Sequence, residues 1–486
     1  MYDICIIGAG IIGCAAAREL TRYNVKVLVL EKTDDVSNGT TKANSGIVHG
    51  GYSAKYGTLK GELSIKGNRM YDKLAEELGF PLDRRGSLVL AFSEDEILKL
   101  EKLKENGEKN GVNGLTILDK KAIKEREPHV GDEAVAALYC PETAITSPYE
   151  FCIALAENAV TNGAEFRLNS EVTGITKNGD HFDIETTSGI CSSSYIINAA
   201  GTGADSIAEM VGDTDIEIVP RRGEYVIMRR GTGKMVNHII FQSPTKNGKG
   251  ILVTSTVWGN LMIGPNSQEI PKKNDVNTNE ENLKHIIKTA RKSVPGFEIP
   301  KVIRSFAGIR PTEKNKDFIV RESQTKGVLH AAGIDSPGLT AAPAIAERIT
   351  ELLKESGLPL TPNNSFNPNR KPITLPHELV PFQEIKDKLQ LPQGEPERVV
   401  CRCEQVREKT IADAFTRGLP LHSTDAIKRR TRAGMGACQG QFCGPRVKKL
   451  IAEQYNIPEE KVGKRSTPSG TLPDRVDMKT LSKFDV

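Results

Sequence analysis

The first 31 residues constrain this chain more than any other feature. Tyr2 to Ile7 is a short apolar run with β-branched residues. Gly8-Ala9-Gly10-Ile11-Ile12-Gly13 follows at once, then an Ala-rich helical stretch from Cys14 to Thr21, then a second apolar strand from Val25 to Leu30 that ends in Glu31. A lone G-x-G-x-x-G says little, but here strand, turn, helix and strand are all in place, the context of a dinucleotide-binding βαβ unit. Gly8 permits the tight turn. Gly10 lets a pyrophosphate reach the helix N-terminus, where unpaired N–H groups favour anions. Gly13, helped by Ala16 and Ala17, lets the helix lie close to the sheet, and Glu31 stands where a carboxylate accepts hydrogen bonds from ribose hydroxyls.

The fingerprint does not separate NAD from FAD, but later segments do. Thr40-Thr41-Lys42-Ala43-Asn44-Ser45-Gly46-Ile47-Val48-His49-Gly50-Gly51 is a small, hydroxyl-rich loop suited to close approach of a flat ring. Asn198-Ala199-Ala200-Gly201 and Ala332-Gly333-Ile334-Asp335-Ser336-Pro337-Gly338-Leu339-Thr340 each follow a β-rich run, and the second opens a helix expected over 341–354. The N-terminus of that helix suits an electron-rich ring edge. A cofactor touched near residue 8 and again near residue 338 is extended and enclosed by non-contiguous segments, which favours FAD.

The totals exclude several classes. At 486 residues the chain is long enough for two to four domains. Its 66 basic and 62 acidic residues leave a net charge of +4, so nothing argues for a nucleic-acid partner. No apolar run reaches the length of a membrane span, which leaves only peripheral association through a partner, and no secretory signal precedes the first strand. A cytoplasmic, reducing compartment is expected, where nine cysteines are thiols or ligands rather than disulfides. Cys5, Cys14, Cys140, Cys152 and Cys191 read as small buried hydrophobes.

Four cysteines are different. Cys401 and Cys403 form C-x-C, and after a gap of 34 residues Cys438 and Cys443 form C-x4-C. Zinc knuckles space their ligands more widely than C-x-C, which suits two thiolates on one iron. Gly434, Gly436, Gly440 and Gly444 free backbone amides to donate to sulfur. Spacing alone favours iron–sulfur and leaves zinc, or simple thiols, open. Residues 357–399, rich in Pro, Asn and charge, read as a linker, and 457–486 as a flexible or docking tail.

At this point the residues carry a resemblance. GAGIIG with Glu31, NSGIVHGG, NAAGTGAD, AGIRPT and GIDSPGLTAAPAIA appear in order, and residues 1 to about 353 resemble the FAD-dependent oxidoreductase superfamily that includes glycerol-3-phosphate dehydrogenase, L-2-hydroxyglutarate dehydrogenase and D-amino-acid oxidase. CRCEQV and TRAGMGACQGQFCGPRV resemble the bacterioferritin-associated-ferredoxin-like [2Fe–2S] domain, and the two regions together are similar to the large subunit of anaerobic glycerol-3-phosphate dehydrogenases. The resemblance implies an α/β fold with an α+β substrate domain. A doubly wound FAD domain is built from about 1–75, 150–205 and 310–356, and an antiparallel-sheet substrate domain from about 76–149 and 206–309. A small helical [2Fe–2S] domain spans 400–456. It implies FAD contacts at Gly8, Gly10, Ile12, Gly13, Glu31, Lys32, Thr40, Thr41, Asn44, Ser45, Gly46, Val172, Ala200, Gly201, Gly333, Gly338, Leu339 and Thr340. It raises the [2Fe–2S] reading of Cys401, Cys403, Cys438 and Cys443 above zinc.

The implied reaction oxidises a small anionic alcohol, foremost glycerol-3-phosphate to dihydroxyacetone phosphate, with electrons leaving through the cluster to an acceptor protein or quinone. L-2-hydroxyglutarate or another 2-hydroxy acid is the alternative, since the stretch from His49 through Tyr52, Lys60 and Arg69 to Gly86-Ser87-Leu88-Val89, and Gly264-Pro265-Asn266, is similar to that branch. A flavoprotein subunit that transfers electrons without a substrate of its own is a third reading. The chain departs from the aerobic glycerol-3-phosphate enzymes, where a lysine stands in place of Gly338 and a histidine near Tyr225. It departs from the hydroxyglutarate enzymes at Leu252.

Alcohol oxidation needs a base within hydrogen-bond reach of the hydroxyl. His49, in the ring-facing loop, is the candidate, against a histidine that only bonds the loop or the ring. Arg310 presents a fork that matches carboxylate or phosphate, against an arginine paired with a structural acid. Tyr52, Lys60 and Tyr225 read as scaffold rather than cavity lining, Trp258 as a core or interface residue rather than a stacking platform, and Arg221-Arg222 as a solvated charge pair rather than a second anion site. The run Lys428-Arg429-Arg430-Thr431-Arg432 reads as balancing thiolate charge, docking an acidic partner, or a solvated helix face.

Overall fold

The computed structural model describes residues 1–244, 250–465, 472–481 and 483–484. Its first sheet realises the opening motif. Tyr2–Ile7 lies between Val27–Leu30 and Gly189–Asn198, all parallel, with Glu165–Arg167 beyond Val27–Leu30 and Val328–Ala332 parallel to Gly189–Asn198. Parallel strands buried on both faces are continuously apolar, as Val27–Leu30 is, with every residue buried. An antiparallel meander, Val172–Asn178 and His181–Thr186, completes one edge. Helices Ile11–Leu20, Leu59–Leu78, Pro148–Thr161 and Gly338–Glu355 share one hydrophobic core with this sheet. Leu59–Leu78 and Gly338–Glu355 approach so closely that a Cβ on Gly67 would stand 2.1 Å from the Thr340 carbonyl.

The second sheet has nine strands drawn from two stretches of chain, 87–140 and 218–313. Its backbone is the long pair Ile218–Arg230 and Val302–Glu313, which sets Arg221 opposite Arg310 and Tyr225 opposite Phe306. The sheet is not wholly antiparallel as expected: Ile239–Gln242 runs parallel to Ser87–Ala91 where the two stretches meet. Helix Glu280–Ser293 covers one face through Leu283, Ile286, Ile287 and Ala290, an i, i+3, i+4, i+7 stripe.

The structure narrows three expectations about the remaining chain. Residues 357–399 are a strap rather than a free linker. Asn363 N donates to the Arg22 carbonyl at 2.7 Å, Arg370 pairs with Glu157 at 2.7 Å, and Ile385 and Leu389 pack against Val399. The described part of the tail docks on its own chain: Leu481 and Phe484 are buried in the substrate-sheet core, although 466–471, 482, 485 and 486 lie outside the described residues. The basic run is not a solvated face. Arg429, Arg430 and Arg432 are buried, because helix Thr424–Thr431 turns them onto carboxylates of the flavin-type domain and of its own hairpin.

The C-terminal domain is a hairpin, Val399–Cys401 and Val406–Arg407, with helices Glu408–Phe415, Thr424–Thr431 and Gly444–Tyr455 around a core of Val400, Ile411, Leu421, Ile427, Val447 and Ile451. Cys401 and Cys443 form part of that core.

Candidate functional site

The two sheets enclose a cavity of about 1530 Å³, larger than the usual small-ligand pocket of roughly 300–1,000 Å³. The glycine turn forms one end. Gly8 has φ +105° and a Cβ there would meet the Ala199 carbonyl at 2.6 Å, while one on Gly13 would meet the Gly8 carbonyl at 1.9 Å. Gly10 and Gly201 differ in kind: a Cβ on Gly10 finds only Thr41 Oγ1, at 3.4 Å, and one on Gly201 finds no neighbour within 4 Å, so both face open cavity. Ile11 N–H donates to Thr41 Oγ1 at 2.9 Å, starting the helix. Glu31 accepts from Ala9 N (2.9 Å) and from Thr33 N (2.9 Å) and Oγ1 (2.8 Å). Burial pushes its pKa up against these three donors.

The small-residue loop lies along the strand Val302–Glu313. Thr40 Oγ1 donates to the Ile309 carbonyl at 2.6 Å, and a Cβ on Gly308 would stand 1.9 Å from the Ala43 carbonyl. Only glycine allows that approach. Asn44 closes the next turn by accepting from Gly46 N at 2.8 Å. His49 follows, held by its N–H on Thr340 Oγ1 (2.9 Å), with Nε2 3.5 Å from Ser336 Oγ and its ring stacked on Phe241. Opposite, Tyr225 stacks on Phe306 with centroids 4.7 Å apart and places its hydroxyl 3.4 Å from Ser45 Oγ. Arg310 reaches into the same cavity; its only hydrogen-bond acceptor among the described residues is the Asn266 carbonyl at 3.4 Å, and it forms no ion pair.

Of the residues expected at the cofactor, Gly8, Gly10, Ile12, Glu31, Lys32, Thr40, Thr41, Asn44, Ser45, Gly46, Val172, Ala200, Gly201, Gly338 and Leu339 line this cavity, together with His49 and Arg310. Gly13, Gly333 and Thr340 do not. Gly13 packs the turn. Gly333 has φ +64°, and a Cβ there would meet Glu313 Cβ at 2.5 Å. Thr340 is fully buried and bonds the backbone of His49 and Ile47. Lys32 is exposed at the rim beside Glu171.

Several scaffold readings stand and one changes. Tyr52 is buried against Ser87, and Lys60 pairs with Asp335 at 2.6 Å. Trp258 donates to Glu150 Oε1 at 3.0 Å, with the Arg432 guanidinium 4.1 Å from its ring centroid. Arg222 is not solvated: it is buried and pairs with Asp275 at 2.7 Å, while Arg221 pairs with Glu269 at the cavity rim. Sequence reasoning missed Phe241, Tyr149 and Phe306 as lining residues. Phe306 alone had a signal, the alternation of Val302–Glu313 two residues before Gly308.

The four cysteines meet as two facing pairs. The Cys443 thiol donates to Cys401, which with the Gly434 and Glu404 amides lowers Cys401 to about 6. Burial works against a Cys438 thiolate, but the Phe442 and Gly440 amides and the Cys403 thiol outweigh it. A Cβ on Gly436 would meet Cys403 Cβ at 2.2 Å, so the glycine-rich loop lies against the C-x-C hairpin. Two facing thiol pairs suit a two-iron cluster. Met435 and Gln439, from the same loop, line the large cavity.

Comparison with known proteins assigns families to both regions of the chain. The family model "FAD dependent oxidoreductase" matches residues 3–352, and "BFD-like [2Fe-2S] binding domain" matches 399–453. A glycerol 3-phosphate dehydrogenase of Caloramator mitchellensis is 44% identical over 465 residues, 96% of each chain. A mitochondrial L-2-hydroxyglutarate dehydrogenase of Arabidopsis thaliana is 27% identical, over 71% of this chain and 82% of its own. The FAD-bound L-alpha-glycerophosphate oxidase of Mycoplasma pneumoniae superposes with a TM-score of 0.73 at 32% identity, covering 76% of this chain and 98% of its own.

Proposed function

The chain belongs to the FAD-dependent oxidoreductase family, and on that premise we propose that it oxidises a small anionic alcohol, glycerol-3-phosphate foremost, and forwards the electrons through a [2Fe–2S] cluster to an acceptor protein or quinone. The observation that carries the substrate class is Arg310, whose fork faces the cavity that His49 and the glycine turn also line and is neutralised by no described acid. A half-buried guanidinium without an acid favours an anionic ligand, and its planar fork matches phosphate or carboxylate.

Bound FAD would supply the two-electron acceptor for the alcohol carbon, and a cluster on the thiols would carry electrons singly. The chain's own residues do the rest. Gly8, Gly10, Ala200 and Gly201 give a diphosphate room beside the helix N-terminus, and Glu31 offers its free lone pairs to a ribose. Arg310 holds the anionic end of the substrate and so fixes which carbon faces the ring-facing loop. His49, positioned by Thr340 and Ser336, takes the hydroxyl proton at Nε2. Tyr225, Phe306 and Phe241 wall the space and exclude water. Cys401, Cys403, Cys438 and Cys443 hold the cluster.

All nine cysteines are free thiols in the structure. No helix among the described residues is long and apolar enough to cross a membrane. The test is anaerobic addition of glycerol-3-phosphate, L-2-hydroxyglutarate and related 2-hydroxy acids in turn, followed by flavin absorbance. Bleaching by glycerol-3-phosphate at the lowest concentration supports the proposal; a preference for L-2-hydroxyglutarate moves the substrate to a carboxylate. Bleaching by none of them would sink the enzyme reading.

A further inference from the structure

Where the cluster-binding domain meets the flavin domain, the cavity wall is unusually rich in cations. Lys42 from the small-residue loop, Arg304 from the long strand, and Lys428, Arg429 and Arg465 from the C-terminal domain all line it, around Asp425. Their ion pairs end on two carboxylates. Lys428 and Arg465 share Asp425, each at 3.2 Å, and Arg429 reaches Asp35 at 2.5 Å, which Arg430 also occupies. Lys42 and Arg304 have no ion pair among the described residues. Lys42 donates to Asn38 Oδ1 and Arg304 to Gln439 Oε1, both at 2.8 Å. Arg429 is 4% exposed and its Nε has no hydrogen-bond partner.

Arg429 is buried and the other four are half-buried, and a surplus of positive charge so withdrawn from water costs free energy unless an anion compensates it. The strain shows in the titration of its members. Burial, with Arg429 and Arg465 nearby, lowers Lys42 to about 7, and burial with Arg304 nearby brings Lys428 to about 8. Nothing in the alcohol oxidation described above uses these five cations. They come from three parts of the chain that only the folded, docked protein brings together.

We propose that Lys42, Arg304, Lys428, Arg429 and Arg465 form a binding site for an oxyanion of the phosphate class, which bridges the flavin domain and the cluster domain. Five donors of one sign around a concave wall suit a phosphate's several oxygens, and guanidinium groups bind them bidentately. The cofactor's diphosphate has its place at the glycine turn, so the occupant here is a free phosphate or phosphate ester. The inference is independent of which alcohol is oxidised.

The experiment titrates inorganic phosphate into the FAD-loaded, full-length protein by calorimetry, and measures FAD release in parallel, for wild type, Lys42→Gln and Arg465→Gln. The two variants sit on opposite sides of the seam, so a folding defect in one leaves the other informative. Saturable phosphate binding that each variant weakens about tenfold or more identifies a free-anion site. No phosphate uptake by the loaded protein, with FAD released more readily from both variants, gives these cations a role in holding the fold around the cofactor and overturns the proposal. Phosphate binding that both variants keep in full, or no phosphate binding together with FAD held as tightly as in wild type, overturns the proposal.

Discussion

Arg430 of the cluster-binding domain grips Asp35 of the flavin domain with both prongs of its guanidinium, Nη1 to Oδ2 at 2.8 Å and Nη2 to Oδ1 at 2.9 Å, with both side chains wholly buried. Arg429 adds a contact to Asp35, and Arg430 Nε reaches Glu157 at 3.3 Å. The docking of the two domains therefore hangs on charges sealed from water. Replacing Arg430 by Met leaves Asp35 and Glu157 buried with less compensation. We expect a loss of about 3–5 kcal/mol in denaturant unfolding. In stopped flow, electron passage to the cluster should slow while substrate-driven flavin reduction persists. Burial opposes the Asp35 charge, but Arg430 and Arg429 hold its pKa below the usual carboxylate value. The pair's contribution is thus complete above that value and is lost only as pH falls below the carboxylate range.

Glu150 behaves in the opposite sense. Burial raises it from 4.5 to about 7, against the pull of Arg432 and the Trp258 N–H. The unfolded chain ionises first, so stability falls as pH rises from the ordinary carboxylate value to about 7, by roughly 3 kcal/mol in all. Glu150→Gln should flatten that slope and unfold at a higher denaturant concentration than wild type above pH 7. An unchanged slope would mean that Glu150 stays ionised throughout.

Arg310→Ala should lower kcat/KM for the anionic alcohol about tenfold to a hundredfold, the cost of a lost charge-assisted hydrogen bond. Arg310→Lys should recover only part, because an ammonium lacks the fork. FAD content should be unaffected in both. Wild-type kinetics in the alanine variant would place the anion elsewhere in the cavity.

His49→Gln should slow substrate-driven flavin reduction by about a hundredfold to ten-thousandfold and remove the alkaline rise of the pH–rate profile, while FAD remains bound. A loss of only a few-fold with the profile intact would show that His49 merely supports the loop through Ser336 and Phe241.

Much of this site is legible in the chain because its demands are local. Gly8, Gly10 and Gly13 follow from backbone geometry within one turn, and Cys401, Cys403, Cys438 and Cys443 from ligand spacing. Apolar periodicity marks helical segments at 62–78, 94–111 and 149–162, and the structure has helices at Leu59–Leu78, Glu94–Lys109 and Pro148–Thr161. What the sequence hides depends on distant partners. The run 428–432 carries no sign of whether water or Asp35 lies opposite, some 395 residues away. Thr340 stands in a cofactor-like motif yet spends its hydroxyl on His49 and Ile47. The strap of 357–399 is held by single hydrogen bonds and ion pairs to helices encoded far upstream, which leave no period in its own composition.

The central claim is that one chain takes electrons from an anionic alcohol at the cavity and passes them to the four-cysteine centre. It is tested most directly by adding glycerol-3-phosphate anaerobically to wild type and to Cys438→Ser, recording visible absorbance and electron paramagnetic resonance together. The account predicts flavin bleaching in both proteins, and a reduced-cluster signal in the wild type alone. A wild-type flavin that bleaches fully while its cluster stays oxidised, or one that does not bleach, would contradict it.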